Sequence, residues 1–395
     1  MNKDTGIIRS LLDNDLYKFS MQMAVFELYQ RETVKYEFTN RGKTVFPKGF
    51  DARLRQEVSK MENLFLTGEE SDFLTNRCSF FKPTYIDFLK SYRYDSSEVG
   101  ITQTAEGELT VTIEGYWYRT ILWEVPLMAL ISELYFIMTG EPINSRRERL
   151  DRNLAKGKEF YTHGLIVADF GTRRRYSYDN QFEVVGDLLS CFSNGKPFLV
   201  GTSNVHIAME KGISPIGTHA HEWVSGVAAL KGYTYANKHM MDDWVKVYQG
   251  ELGIALTDTF GTDAFFNDFN TFYAKLFDGV RHDSGDAIAF AEKVIAHYKK
   301  LNIDPLSKTI VFSDGLNPEV AVKIQSICKN RIKCSFGIGT NLTNDVGVKA
   351  LNMVIKLVSI NGKSVIKLSE TPGKHVGDKK TIEMVKHIVN YNPEN

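Results

Sequence analysis

Residues 165–175 read LIVADFGTRRR. Four apolar residues run into an aspartate, and Phe170, Gly171 and three arginines follow. A short apolar run without alternation suits a strand buried on both faces, and the polar cluster marks the point where it surfaces. The same rhythm recurs downstream in FLVGTSN (198–204), SPIGTHAHEW (214–223), GIALTDTFGTD (253–263), GVRHDSGD (279–286), TIVFSDGLN (309–317), CSFGIGTN (334–341) and NMVIKLVS (352–359). Helical stretches separate most of these runs, so the pattern is one of parallel β-α units. Seven or eight units between residues 165 and 359 favour a closed barrel over an open doubly wound sheet, and no G-x-G-x-x-G follows the first strand. In a barrel the polar clusters gather at one rim, where ligands bind.

Upstream of residue 145 the chain is mixed. DNDLYKFSMQMAVFELYQR, FDARLRQEVSKMENLF and PTYIDFLKSYRY read as helices, while VKYEFTNRG and ELTVTIEGYWY read as strands. RTILWEVPLMALISELYFIMTG is apolar nearly all round, which predicts a helix central to the fold. The polar run EPINSRRERLDRN connects the two parts.

Lys+Arg and Asp+Glu both number 48 in the 395 residues, so nothing points to nucleic acid or an anionic membrane as partner. The cysteines Cys78, Cys191, Cys328 and Cys334 show no C-x-x-C spacing, which fits buried free thiols. The first residues carry no apolar signal core, so a cytoplasmic location is expected.

The rim residues have definite chemistry. In FGIGTN, Gly337, Gly339 and Thr340 can offer backbone N–H groups and a hydroxyl to a phosphate, or form an ordinary turn. Arg281, Asp283 and Asp286 in RHDSGD can meet phosphate and ribose, or cap the helix that follows. Asp258 and Asp314 are similar strand-end acids, and Arg173, Arg174 and Arg175 make the rim positive. Phe170 can stack on a flat ring or fill the core. GTHAHEW (217–223) sets His219 and His221 two apart. A metal site wants further ligands at other strand ends, and only His282 is nearby in the pattern. The alternative is a neutral imidazole that accepts a phosphoryl group. If the strand persisted through this motif, Thr218 and His221 would face opposite sides.

In order along the chain, LLDNDLYKFSMQMAVF, YEFTNRG, ILWEVPLMALISE, DFGTRRR, GTSN, GTHAHEW, ALTDTF, RHDSGD, KTIVFSDGLN, SFGIGTNL, NMVIKL and KLSETPGK resemble the bacterial-type nicotinate phosphoribosyltransferases, which belong to the type II phosphoribosyltransferases. The resemblance implies an irregular α/β barrel (146–360) with an N-terminal α/β sandwich (1–145) that includes part of 360–395. It implies ATP-coupled synthesis of nicotinate mononucleotide and pyrophosphate from nicotinate and 5-phosphoribosyl 1-pyrophosphate, the salvage entry to NAD, with Mg²⁺ carried by pyrophosphate and no protein-held metal. It also implies a homodimer in which the DLYK element reaches a neighbouring subunit's site.

Residue by residue, the resemblance makes His221 the phosphorylated histidine, places Tyr17 and Phe170 around the pyridine ring, and gives Arg173 and Thr218 to the substrate. Arg281 lies near the phosphates, Asp258 and Asp283 face the ribose, and Gly337, Gly339 and Thr340 take the 5-phosphate. Ser203 stands where nicotinamide-using relatives carry aspartate, so it is expected to select nicotinate, although it could instead cap the next helix. The competing readings are a nicotinamide-using transferase, a metal-dependent barrel hydrolase and a non-catalytic nucleotide binder.

Overall fold

The computed structural model describes residues 6–191, 198–369 and 375–391. The last part of KLSETPGK, residues 370–374, lies outside them. Among the described residues the strands in chain order are β1 Thr33–Asn40, β2 Val99–Gln103, β3 Leu109–Tyr116, β4 Val167–Asp169, β5 Leu199–Thr202, β6 Ser214–Pro215, β7 Ile254–Leu256, β8 Gly279–His282, β9 Thr309–Phe312, β10 Lys333–Ile338, β11 Met353–Ile360 and β12 Lys363–Ser364. They form an antiparallel sheet, β12-β11-β1-β3-β2, and a curled parallel sheet, β6-β5-β4-β10-β9-β8-β7. The chain is therefore a mixed α/β fold with a barrel-like parallel half, as the rhythm of apolar runs predicts.

One apolar run belongs elsewhere. NMVIKLVS, read above with the barrel strands, lies mostly in β11 and pairs antiparallel with β1 from Val34↔Ile360 to Asn40↔Met353. Its side chains explain the difference: Met353, Ile355 and Leu357 are buried and alternate with less buried Val354, Lys356 and Val358. That two-residue period belongs to a strand with one covered face, whereas β4 is buried throughout.

No ladder joins β6 to β7 among the described residues, so the parallel sheet has a seam. β6 is only two residues long and ends in Pro215, which has no N–H to extend a ladder. The seam is crossed by a side chain: Thr218 Oγ1 donates to the carbonyl of Ile254 at 3.0 Å. The N-terminal helix Leu16–Leu28 then packs over it. Ser20 Oγ donates to the Thr218 carbonyl, Tyr248 hydroxyl donates to the Ser20 carbonyl at 2.6 Å, and Leu16 N–H donates to the Ser203 carbonyl at 2.8 Å. This helix is buried on most sides, from Leu16 through Val25 with only Tyr17 half-exposed, so its polar residues need partners inside the protein.

The segment Trp117–Thr139 is long and apolar enough by composition to cross a membrane, but 83% of its most apolar window is buried in the molecule. Its main helix, Glu124–Thr139, ends at Gly140 in the left-handed conformation (φ 62°). That helix packs against β11, as does the helix His221–Lys231, which brings the antiparallel sheet over the barrel rim. The connector forms the helix Arg146–Thr162, started by a capping box between Ser145 and Glu148.

Candidate active site

The C-terminal ends of the parallel strands enclose a cavity of about 600 Å³. Its wall includes Arg173 and Arg174 after β4, His221 and Glu222 after β6, Asp283 after β8, Asp314 after β9, and Gly339 and Thr340 after β10. The other side is closed by Arg41 just after β1, Lys356 in β11 and Lys367 beyond β12.

His221 is the first residue of its helix, and the five residues before it follow no strand geometry. The chain thus leaves the strand before GTHAHEW, and Thr218 and His221 are free of the strand alternation that would oppose them. The His221 ring is held at both nitrogens: Nε2 lies 3.0 Å from Asp283 Oδ2, and Nδ1 lies 2.9 Å from Thr259 Oγ1. A carboxylate can only accept, so Nε2 carries the proton and Thr259 donates to Nδ1. Asp258 Oδ1, buried and without a hydrogen-bond partner, sits 3.7 Å from Nε2. Burial, with Lys367 nearby, pulls the His221 pKa below its ordinary value against the pull of Asp258 and Asp283. The imidazole is therefore neutral near neutral pH.

Asp283 also accepts from Ser313 Oγ at 2.7 Å and faces Arg281 Nη2 at 3.7 Å. Burial opposes its ionisation, but Arg281, His221 and Lys367 outweigh burial and hold the carboxyl far below the usual range. Arg281 Nη1 donates to the carbonyl of His219. The His219 ring is fully buried, has no hydrogen-bond partner and meets Trp244 edge-on at 4.9 Å between centroids. Burial, then the charges of Arg281 and His221, push its pKa down to about 3. His219 is a neutral packing residue, and His282 likewise packs against Phe290 and Phe312.

The three arginines separate cleanly. Arg175 is wholly buried and bidentate to Asp13 at 2.6 and 2.8 Å, so it is consumed by the fold. Arg173 and Arg174 face the cavity, and Arg173 lies 3.5 Å from Glu124. Tyr17 interacts electrostatically with Arg173 and Glu124 of its own chain, and its backbone packs against Gly217. Tyr17 thus stands beside Arg173 and Glu124.

Gly337 departs from its expected place. It sits inside β10, and an added Cβ would stand 2.3 Å from the ring of Phe170. Glycine is needed there for the close approach of that ring, while Gly339 and Thr340 alone of the three line the cavity. Ser203 is buried and donates to Asp15 Oδ1 at 2.7 Å. It does not cap the next helix, because Asn204 does so by accepting from Ile207 N–H. Thr218 is engaged at the seam.

Sequence reading missed Arg41, Lys356, Lys367, Lys18, Glu124 and Glu222. Burial, then Arg41 and Lys367, lowers the Lys356 pKa to about 8, so a bound anion would restore its full charge. The signal for the last three was present: a charged residue inside an otherwise apolar helix needs a buried partner.

The oxygen and nitrogen groups converging on the cavity suit a phosphorylated sugar and a small anion. Known proteins agree. Residues 12–132 match the nicotinate phosphoribosyltransferase (NAPRTase) N-terminal domain, and residues 165–393 match the nicotinate phosphoribosyltransferase (NAPRTase) family. The chain is 54% identical to the nicotinate phosphoribosyltransferase of Desulforapulum autotrophicum over 94% of its own length and 96% of that protein. It is 49% identical to that of Chromohalobacter salexigens, over 97% of its own length and 98% of that protein. The crystal structure of nicotinate phosphoribosyltransferase from Porphyromonas gingivalis superposes with a TM-score of 0.93 at 40% identity, covering 97% of this chain and all of that one. That from Vibrio cholerae superposes with a TM-score of 0.92 at 34% identity, covering 98% and 95%.

Proposed function

The chain belongs to the nicotinate phosphoribosyltransferase family and is an enzyme of that activity, and from this premise we propose that its rim couples nicotinate mononucleotide synthesis to ATP through a phosphohistidine at His221. The observation that carries the proposal is His221 itself: a neutral imidazole on the cavity wall, between the carboxylates of Asp283 and Asp258 and beside Thr259. Both ring nitrogens are engaged, so one of these hydrogen bonds opens when the ring accepts a phosphoryl group.

The other residues divide the substrates among them. Gly339 and Thr340 take the 5-phosphate, with N–H groups and a hydroxyl at the end of β10. Asp258 and Asp283 face the ribose hydroxyls. Arg173 meets the carboxylate of nicotinate, with Tyr17 and Phe170 beside the pyridine ring. Arg41, Arg174, Lys356 and Lys367 receive the departing pyrophosphate and the phosphates of ATP. The oxygen donors Asp283, Ser313 and Asp314 are of the kind that suits a hydrated Mg²⁺ carried by pyrophosphate, which would offset charge on the leaving group. The pyridine nitrogen attacks with its own lone pair, so no general base is required. Catalysis is positioning plus stabilisation of an oxocarbenium-like ribose and a leaving pyrophosphate.

The test is pyrophosphate formation from 5-phosphoribosyl 1-pyrophosphate with nicotinate, nicotinamide and quinolinate in parallel, with and without ATP. Nicotinate alone should support turnover, and ATP should stimulate it. Turnover with nicotinamide at a comparable rate would overturn the substrate assignment.

A further inference from the structure

Three segments resembling the family's motifs carry charges that the reaction described above leaves without a role: Lys18 in DLYK, Glu124 in ILWEVP and Glu222 in HEW. They meet in one place. Lys18 is fully buried, and its ammonium bridges Glu124 Oε2 at 2.5 Å and Glu222 Oε2. The second oxygen of Glu222 accepts from the Trp117 indole at 2.8 Å and the Tyr36 hydroxyl at 2.5 Å. The second oxygen of Glu124 faces Arg173 Nη1 at 3.5 Å. Both glutamates line the cavity. Two cations and two anions thus form a continuous chain, Glu222–Lys18–Glu124–Arg173, with one end fixed by aromatic donors and the other at the rim.

We propose that Lys18 is a positioning residue for nicotinate: it anchors Glu124, and Glu124 fixes the guanidinium of Arg173. The inference rests on the reading that Arg173 meets the nicotinate carboxylate. The physical reason is the shape of the chain. An arginine side chain has many rotamers, and a single ion pair at 3.5 Å restrains it weakly. A glutamate whose other oxygen is locked to a buried ammonium gives it a fixed partner in a low-dielectric wall. The N-terminal helix therefore does more than cover the seam, because it sets the partner of the anion-binding arginine from behind.

Removing Lys18 alone would take from two buried carboxylates the cation they share, and that variant could simply fail to fold. The test therefore uses Lys18→Met/Glu222→Gln, which deletes one charge of each sign, and Glu124→Gln, which keeps the Lys18–Glu222 pair. Thermal midpoints are measured beside KM for nicotinate, KM for 5-phosphoribosyl 1-pyrophosphate and kcat. For the soluble variants the expected result is a KM for nicotinate raised roughly tenfold, the scale of a loosened charge-assisted contact, with the other two constants within about twofold. A merely structural Lys18 predicts that the charge-balanced double variant regains the wild-type KM for nicotinate along with its stability, and that outcome overturns the proposal. An unchanged KM for nicotinate in Glu124→Gln does the same. Arg173→Gln separates the two layers: if it too leaves the KM for nicotinate unchanged, the assignment of Arg173 is what fails.

Discussion

Nε2 of His221 lies 3.0 Å from Oδ2 of Asp283, while Nδ1 is held by Thr259 at 2.9 Å. A ring bonded on both sides is oriented, and burial keeps it neutral. His221→Ala should abolish incorporation of label from γ-labelled ATP into acid-labile phosphate. It should also remove ATP stimulation while slow ATP-independent transfer persists, because the two substrates remain bound. Label on another residue, or stimulation that survives, would refute the role.

His219 should behave in the opposite way. Its folded pKa of about 3 lies below the ordinary 6.5, so below pH 6.5 the unfolded chain binds the proton that the folded one refuses. Its contribution to stability is complete above that pH and declines as pH falls toward about 3, by about 1.4 kcal/mol per unit. His219→Leu should therefore lose less stability than wild type between about pH 7 and about pH 5, and should keep ATP stimulation. Parallel acid profiles for the two proteins would show that His219 is not the group responsible.

Ser203→Asp would put a second carboxylate beside Asp15, where the serine hydroxyl now donates at 2.7 Å. A further carboxylate there adds negative potential that disfavours an anionic substrate. We expect kcat/KM for nicotinate to fall about tenfold or more, with a smaller change for nicotinamide. A value within a few-fold of wild type would mean that this position does not set specificity.

Gly337→Ala tests the seat of Phe170. The new methyl would overlap the ring, which must tilt or move. The expected outcome is a higher KM for nicotinate with little change for 5-phosphoribosyl 1-pyrophosphate. The reverse pattern would return Gly337 to the phosphate.

If DLYK reaches a neighbouring subunit's site, as the resemblance implies, mixing inactive Tyr17→Ala with inactive Arg281→Ala should restore part of the activity through mixed dimers. No recovery when the subunits demonstrably exchange would keep Tyr17 with the rim of its own chain.

Part of the cavity wall was legible in the sequence because barrel strands announce their ends: Arg173, His221, Asp283, Gly339 and Thr340 all come shortly after apolar runs. The basic wall from the other sheet was not. Lys356 lies on the less buried face of β11, and a lysine alternating with Met353, Ile355 and Leu357 reads as a solvated position. Only the long-range pairing of β11 with β1 turns that face, together with Arg41, toward the cavity. The three arginines were ambiguous for a similar reason. Nothing local distinguishes Arg175, which Asp13 claims from 162 residues away, from Arg173 at the rim. Gly337 was misplaced because the strand runs to Ile338, one residue before the loop that meets the cavity.

The seam between β6 and β7 also bears on how the molecule comes together. Ser20 closes against Thr218, 198 residues later in the chain. A loop of that length costs about 5 kcal/mol of chain entropy to close, before any contact made by the closure offsets it. The N-terminal helix can thus complete its docking only after Thr218 and both edges of the parallel sheet exist to receive it. Until then its apolar surface is open to solvent and to other chains. Rates of refolding should accordingly show the acquisition of nicotinate binding trailing the formation of the barrel, and substitutions such as Ser20→Ala should slow that final phase while leaving the earlier one unaltered.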